Sequence, residues 1–125
     1  MDGIVATKGG RVIAREQGRG IGPALALFHA GKLVGAEVSD RIVGRAAAAV
    51  FVLGGAAQVR ADVMSEGAAR FLSAHGIPCG ADLTVPQIIN RKGTGPCPME
   101  QAVEGLDDPQ TMVAAVERTW ERLNG

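Results

Sequence analysis

Residues 39–66 read SDRIVGRAAAAVFVLGGAAQVRADVMSE, and this stretch indicates the fold class. Ser39 or Asp40 is a good N-cap, because either side chain can accept a hydrogen bond from the free N–H groups of a first helical turn. The spacing predicts a buried helix from that cap to Leu53, closed by a glycine pair. A strand over 57–64 follows, and Ser65 starts another helix, which lasts to about His75. Helices and strands in alternation indicate an α/β protein with a partly parallel sheet.

The segments on either side extend this pattern. Two short Val- and Ile-bearing runs at 3–7 and 11–16 are separated by a Lys-Gly-Gly turn, which predicts an opening β-hairpin. Pro23 starts a short first helix. Further on, residues 77–85 are predicted to form another strand, and a loop rich in Gly and Pro covers 86–98.

The last helix has a strong start signal. Asp108 supplies an N-cap, and a proline follows it at the first helical position. Met112, Val116 and Trp120 recur at helical spacing and predict an apolar face. No second domain, repeat or linker is visible in the sequence, so residues 1–125 are predicted to form a single domain.

Composition excludes several classes of function. A chain of 125 residues is long enough for one hydrophobic core, and 46% hydrophobic with 21% charged residues is typical of a globular domain. Thirteen basic residues balance thirteen acidic ones, so no net field draws the protein to nucleic acid or to an anionic membrane. The few aromatic residues are too dispersed for a base-stacking platform. We therefore expect neither nucleic acid nor membrane as a partner.

The sequence has two cysteines, Cys79 and Cys97. The first residues, MDGIVATKGG, lack the charged segment and the long apolar segment of a secretory leader. A reduced, cytoplasmic setting is therefore expected, in which a disulfide between the two cysteines is not needed. The longest apolar stretch, residues 46–57, is too short to span a bilayer and predicts a buried helix.

Polar residues at the predicted segment ends indicate a pocket. In a partly parallel sheet, ligands bind beyond the carboxyl ends of the strands, where the N–H groups of helix starts also point. This rule selects Ser39 and Asp40 before the central helix, Ser65 and Glu66 after the next strand, and the loop over 90–100. We expect these three groups to converge.

Cys97 is the strongest candidate for catalysis. It lies between two prolines at a predicted helix start, where the helix dipole favours the thiolate. Glu100 follows one helical turn later and is a candidate general acid or base on the same face. Both have structural alternatives, Cys97 as a partly buried apolar residue and Glu100 as the capping residue of its own helix. Asp40 is a third candidate, as a carboxylate that carries protons.

Several nearby side chains can bind an anionic or polar ligand. Arg45, Arg91 and Lys92 supply cations for a phosphate or a carboxylate, and Asn90 supplies an amide. Exposed charges of this kind are also common as solvated surface. The string RKGTG at 91–95 lacks the glycine and lysine spacing of a nucleotide-binding loop, so these residues leave the identity of the ligand open.

Three strings taken together resemble a known family. They are SDRIVGRAAA at 39–48, DVMSE at 62–66 and INRKGTGPCPMEQAV at 89–103, of which the last is long and unusual in composition. Over nearly its whole length the chain resembles domain-of-unknown-function family 1893. The resemblance implies a cytidine-deaminase-like fold, with three α/β/α layers and a mixed sheet opened by a β-hairpin, and no established activity.

The resemblance does not extend to the residues of zinc deaminases. Those enzymes carry H-x-E at one helix start and P-C-x-x-C at the next, which supply three zinc ligands and a proton-shuttling glutamate. Here the first position reads Asp40-Arg41-Ile42 and the second reads Ser65-Glu66, so the glutamate and the thiolates are absent. We therefore expect neither a bound metal nor zinc-dependent deamination, and no other cofactor is implied.

Three functions agree with these residues. The first is a protein that binds a nucleotide-like or other anionic small molecule near Asp40 and Cys97. The second is an enzyme that uses Cys97 as the nucleophile on a nucleotide-like substrate. The third is a non-catalytic assembly or regulatory subunit, in which the last helix around Trp120 packs on another chain, for example in a homo-oligomer.

Overall fold

The computed structural model describes residues 3–18, 20–90 and 92–124, and these residues form five strands and five helices. In chain order the elements are β1 (Gly3–Lys8), β2 (Arg11–Gln17), α1 (Gly22–His29), β3 (Glu37–Val43), α2 (Arg45–Gly54), β4 (Gln58–Ser65), α3 (Glu66–Ala74), β5 (Cys79–Val85), α4 (Pro98–Ala102) and α5 (Pro109–Asn124). The predicted α/β class is confirmed.

The strands form one mixed sheet in the order β2-β1-β3-β4-β5. Strand β1 runs antiparallel to both of its neighbours, whereas β3, β4 and β5 are parallel. Gly9 and Gly10 connect β1 to β2 with φ angles of 56° and 79°, a region of backbone conformation that glycine adopts without steric cost. The predicted hairpin and the partly parallel sheet are both confirmed.

Strand β3 corrects the prediction made from Ser39 and Asp40. Both residues lie inside this strand, and α2 begins only at Arg45, with Gly44 as its N-cap. Val38 of β3 is buried and pairs with residues of both β1 and β4. Pairing with a strand on each side and the burial of Val38 outweigh a local N-cap preference, which is worth only about 1 kcal/mol.

Helix α2 lies at the centre of the molecule. Every residue from Ala46 to Phe51 is buried, because α2 contacts β3 and the helices α1, α3, α4 and α5. A helix that is apolar on all sides is stable only when other elements cover it all round. Its run of alanines allows those elements to approach closely.

The described helices that pack on the sheet lie on one of its faces. Helices α1, α2 and α3 contact one another in this order, and α5 packs on α2 and α4. The units β3–α2–β4 and β4–α3–β5 advance in the same direction, so right-handed crossovers place both helices on the same face. On the opposite face Ser39 and Arg60 are exposed. This differs from the predicted α/β/α order of layers, because α5 covers the apolar helix α2 instead of the second face of the sheet.

Helix α5 begins and packs as its sequence predicts. The N–H of Thr111 donates to Oδ2 of Asp108 at 2.9 Å, which is the predicted N-cap, and Met112, Val113 and Val116 are buried. These side chains join the core cluster between the helices and the sheet. Within the part of the chain described above, no helix is long and apolar enough to cross a membrane.

Candidate functional site

A cavity of about 900 Å³ opens between the starts of α1 and α2, the loop before α4 and the end of α5. Its apolar wall includes Ile21, Ile42, Ile88, Met99, Trp120 and Leu123. Its polar lining includes Asp40, Arg41, Asn90, Lys92, Cys97 and Glu100. Side chains from the central strand, the long loop and the last helix therefore meet in one place.

Asp40 is a carboxylate on the inward side of the central strand. Val38 and Ile42, which alternate with it along β3, are buried and cavity-lining respectively. Its partner on β4 is Ala61, a small buried residue. A strand that packs on an apolar helix normally carries apolar residues on this side. The packing of the fold therefore does not account for a carboxylate here.

Partial burial makes Asp40 difficult to ionise. Desolvation raises the pKa of Asp40 from its ordinary value of 3.8 to about 6, the N–H of Arg41 opposes this rise, and the charge of Asp62 adds to it. The Arg41 N–H donates to Oδ1 of Asp40 at 2.7 Å. Among residues 3–18, 20–90 and 92–124 this is the only hydrogen bond to the carboxylate, and none of these residues donates to Oδ2.

Glu100 caps α2 and not its own helix. Its Oε1 accepts a hydrogen bond from the N–H of Arg45 at 2.8 Å, and its Oε2 accepts one from the N–H of Ala46 at 2.9 Å. These are the first two N–H groups of α2, which have no partner within the helix. The negative charge also lies at the positive end of the helix dipole. Glu100 therefore lines the cavity with both oxygens engaged in a structural role, which differs from the predicted general acid or base.

Gly44 permits this close approach of α4 to α2. A Cβ atom at position 44 would lie 2.6 to 2.7 Å from the carboxylate atoms of Glu100, well inside van der Waals contact. The φ angle of Gly44 is −103°, which other residues also adopt. Glycine is therefore needed here for space.

Arg45 is turned away from the cavity, although the sequence predicted it as a ligand for an anion. Its Nη1 donates to the carbonyl of Val103 at 3.1 Å, and its Nη2 donates to the carbonyl of Leu106. The guanidinium also lies over the ring of Phe71, 5.8 Å from the ring centroid. Val103 is the C-cap of α4. Arg45 of α2 therefore donates to the end of α4, while Glu100 of α4 accepts from the start of α2, and both contacts hold the two helices together.

Three further predicted residues lie away from the cavity. Ser39 is exposed on the outer face of the sheet. Ser65 is buried and caps α3, because its Oγ accepts a hydrogen bond from the N–H of Ala68 at 3.0 Å. Glu66 is exposed in the first turn of α3. Of the three groups expected to converge, only Asp40 and the loop lie together at the cavity.

The loop before α4 folds back on itself. The side chain of Asn90 donates to Oγ1 of Thr94 and accepts from its N–H, both at 3.1 Å. Asn90 is therefore engaged in holding the turn, although it lines the cavity. Lys92 is exposed and also lines the cavity, so its ammonium group can reach a bound anion. Arg91, another predicted ligand, lies outside the described residues.

Cys97 is the N-cap residue of α4 and is half-buried in the cavity wall. Its N–H donates to the carbonyl of Ile88 at 3.1 Å, which fixes the residue in the wall. Helix α4 has only five residues, so the helix dipole that acts on the Cys97 thiol is small. The other cysteine, Cys79, belongs to β5, and both cysteines are free thiols.

The helix starts at the cavity do not fit the zinc site of a deaminase. Helix α1 starts at Gly22 and α2 starts at Arg45, and the first turns of both lack imidazole, thiolate and carboxylate groups. Asp40-Arg41-Ile42 belongs to β3, so its comparison with a helix start was wrong. No group of three or more His, Cys, Asp or Glu side chains in the described ranges could hold a metal ion.

The part of the cavity wall that α1 and α5 supply was not predictable from local sequence patterns. Ile21 is buried at the start of α1, and Trp120 packs so closely on Gly22 that a Cβ atom there would lie 2.7 Å from its ring. The periodicity of α5 identified Trp120 as apolar, but only the fold brings it beside α1. An assembly role for this helix stays a prediction.

Comparison with known proteins identifies the family. The profile of DUF1893, a domain of unknown function, matches residues 2–119. The crystal structure of a DUF1893 family protein from Thermotoga maritima is similar, with a TM-score of 0.85 and 28% sequence identity, over 92% of this chain and 78% of that one. None of the curated proteins matches the sequence. The chain belongs to the DUF1893 family of domains of unknown function.

Proposed function

We propose that the protein binds a nucleotide-like small molecule in the cavity beside Asp40 and does not carry out zinc-dependent hydrolytic deamination. The observation that supports this most directly is the inward-facing carboxylate of Asp40. It lines the cavity, and within the part of the chain that the structure describes it accepts one hydrogen bond, from the N–H of Arg41. A ligand would supply further donors.

The electrostatics of Asp40 support a role in binding. Its pKa is about 6 because burial disfavours the ionised form, so the charge weakens the folded state at neutral pH. Ionisable groups of this kind are concentrated at functional sites, where a ligand or substrate supplies the missing interactions. A ligand with N–H donors would compensate for the lost solvation.

The size and lining of the cavity suit a nucleotide. Small-molecule pockets commonly measure roughly 300–1,000 Å³ and combine apolar walls with a few polar groups. This cavity measures about 900 Å³ and offers Ile21 and Trp120 as apolar surface. The ammonium group of Lys92 can pair with a phosphate. In a bound nucleotide the heterocycle would hydrogen-bond to Asp40, its apolar ring face would pack on Ile21 or Trp120, and its phosphate would pair with Lys92.

A relationship to the cytidine-deaminase-like superfamily is part of this proposal. A β-hairpin opens the mixed sheet, and two parallel strand–helix–strand units continue it, which supports such a relationship, whereas the helices on a single face of the sheet differ from the three α/β/α layers that it implies. The first turns of α1 and α2 supply no zinc-binding side chain beside the cavity. A cavity that lacks zinc-binding side chains can still bind a ligand, which supports ligand binding without hydrolytic deamination.

Isothermal titration calorimetry with GMP, AMP, CMP and UMP tests the proposal. We expect at least one of them to bind, and Asp40→Asn to weaken that binding. Asp82→Asn is the matched control, because Asp82 is exposed on β5 and does not line the cavity. Binding of none of the four nucleotides, or equal binding by the wild type and Asp40→Asn, would contradict the proposal.

Lys92 is tested separately. Lys92→Ala should weaken binding of a nucleotide but not of the corresponding nucleoside, since only the nucleotide carries a phosphate. Lys32→Ala is its control, because Lys32 is exposed and does not line the cavity. An equal loss for nucleotide and nucleoside would exclude a phosphate contact at Lys92.

The position of Cys97 favours a second candidate function, nucleophilic substitution on the bound ligand. The S–C bond would form as the bond from that carbon to its leaving group breaks, and the thiol proton would pass through Asp40 to the leaving group; water would then hydrolyse the S–C bond and restore the thiol. Cys97 lines the same cavity as Asp40, whose pKa of about 6 suits a group that takes up a proton near neutral pH. Chromatography of nucleotides incubated with the protein would detect turnover. Cys97→Ala should abolish it and Cys79→Ala should not, so turnover by Cys97→Ala would exclude the thiol as nucleophile.

A further inference from the structure

The hydrogen-bonding capacity of Asp40 restricts what it can bind. An ionised carboxylate presents acceptors only, with about two acceptor sites on each oxygen. The Arg41 N–H uses one site on Oδ1, at 2.7 Å, and holds the carboxylate in place. No other donor of the described residues reaches the carboxylate, which leaves one site on Oδ1 and the sites on Oδ2. Asp40 can therefore accept two hydrogen bonds side by side from one planar ligand.

The surroundings of Asp40 strengthen this restriction. The strand partner of Asp40 is Ala61, whose methyl side chain has no hydrogen-bonding group and is too small to cover the carboxylate. Ile42 follows Asp40 on the same side of β3. Asp40 is partly buried, and a ligand acceptor that faces its carboxylate loses a hydrogen bond to water without gaining another. A mismatch between ligand and carboxylate should therefore lower affinity strongly.

We propose, on the basis of the proposed nucleotide binding, that Asp40 makes the site selective for heterocycles with two adjacent N–H donors, of which guanine is the nucleobase example. Guanine presents its N1–H and its N2 amino group side by side, and both can donate to one carboxylate. Adenine and cytosine place a ring nitrogen acceptor beside the amino group, and uracil places carbonyl acceptors on both sides of its N–H. Each of these three bases sets at least one acceptor against Asp40.

Calorimetric titration of the full chain with GMP, IMP and AMP at pH ~7.5 tests this selectivity, because Asp40 is mainly ionised there. IMP differs from GMP only in lacking the N2 amino group. We expect GMP to bind about tenfold to hundredfold more tightly than IMP, the range for one hydrogen bond to a charged group. AMP should bind more weakly than GMP as well.

Asp40→Asn should remove the preference for GMP over IMP, and Asp82→Asn should keep it. Equal binding of GMP and IMP by the wild type, or an unchanged preference in Asp40→Asn, would overturn the selectivity while nucleotide binding itself stands. If none of the three nucleotides binds, the proposed function fails together with the selectivity. If circular dichroism shows that Asp40→Asn does not fold, the affinities of the wild type for GMP and IMP still decide whether the site is selective for guanine.

Discussion

Replacing Asp40 with Asn should stabilise the protein at neutral pH but not in acid. The pKa of Asp40 is about 6 in the folded protein, against 3.8 for an ordinary Asp. Between these values the folded state holds more protons than the unfolded state, so this group lowers the stability as the pH rises from about 4 to about 6. The largest loss is about 3 kcal/mol, and it is complete above pH ~7.

The substitution removes the charge and keeps the size of the side chain. We therefore expect Asp40→Asn to exceed the wild type in free energy of unfolding by about 1–3 kcal/mol at pH ~7.5, and to equal it within about 0.5 kcal/mol at pH ~4. Urea titration followed by tryptophan fluorescence measures both values. Trp120 is the only tryptophan and lies in the cavity wall, so its signal reports on this region.

Asp82→Asn is the control for this measurement. Asp82 is exposed on β5 and is not among the groups that shift the pKa of Asp40, so its substitution should change the free energy of unfolding by less than about 0.5 kcal/mol at either pH. The reasoning is refuted if the difference between Asp40→Asn and the wild type is the same at both pH values, since desolvation of the carboxylate would then not limit stability. A variant that is more stable yet binds ligand less well would be typical of a functional residue.

Three further predictions concern the wall of the cavity. Gly44→Ala should lower the free energy of unfolding by about 1–3 kcal/mol, because the new methyl group meets the carboxylate of Glu100. Gly95→Ala, with no atom within 4 Å of its Cβ, should have little effect in the same denaturation assay, and equal losses would contradict the steric account. Glu100→Gln should cost about 1–2 kcal/mol, since a neutral amide cannot accept both N–H groups of α2, whereas Glu104→Gln on the exposed surface should be nearly neutral. Bound GMP should slow alkylation of Cys97 by iodoacetamide but not that of Cys79, as measured by peptide mass spectrometry, and equal rates with and without GMP would place the ligand elsewhere.

Local signals in the sequence predicted several elements correctly. The glycine turn predicted the hairpin, Ser65 predicted the start of α3, and Asp108 predicted the start of α5. In both helices the capping contact spans three residues, from Ser65 to Ala68 and from Asp108 to Thr111. Interactions of such short range are visible in the sequence because both partners lie within one turn of helix.

The central strand and the cavity were not predictable in this way. The N-cap preference of Ser and Asp predicts a helix start at Ser39 or Asp40. However, Val38 and Ile42 pair with β4, and this pairing makes the segment a strand. That assignment turns Asp40 inward, towards the cavity, and Ser39 outward. The chemical character of Asp40 was therefore evident from the sequence, but its burial and direction were not.

For Glu100, too, the residue type was evident from the sequence, but its contacts were not. Its residue type and its place in the loop region marked it as a candidate proton carrier or a cap for its own helix. Its actual partners, the first N–H groups of α2, lie 55 and 54 residues away along the chain. The sequence by itself determined which elements form around short-range caps and turns. Only the tertiary structure decided which side chains face the cavity, because contacts between residues far apart in sequence depend on the packing of the whole sheet and its helices.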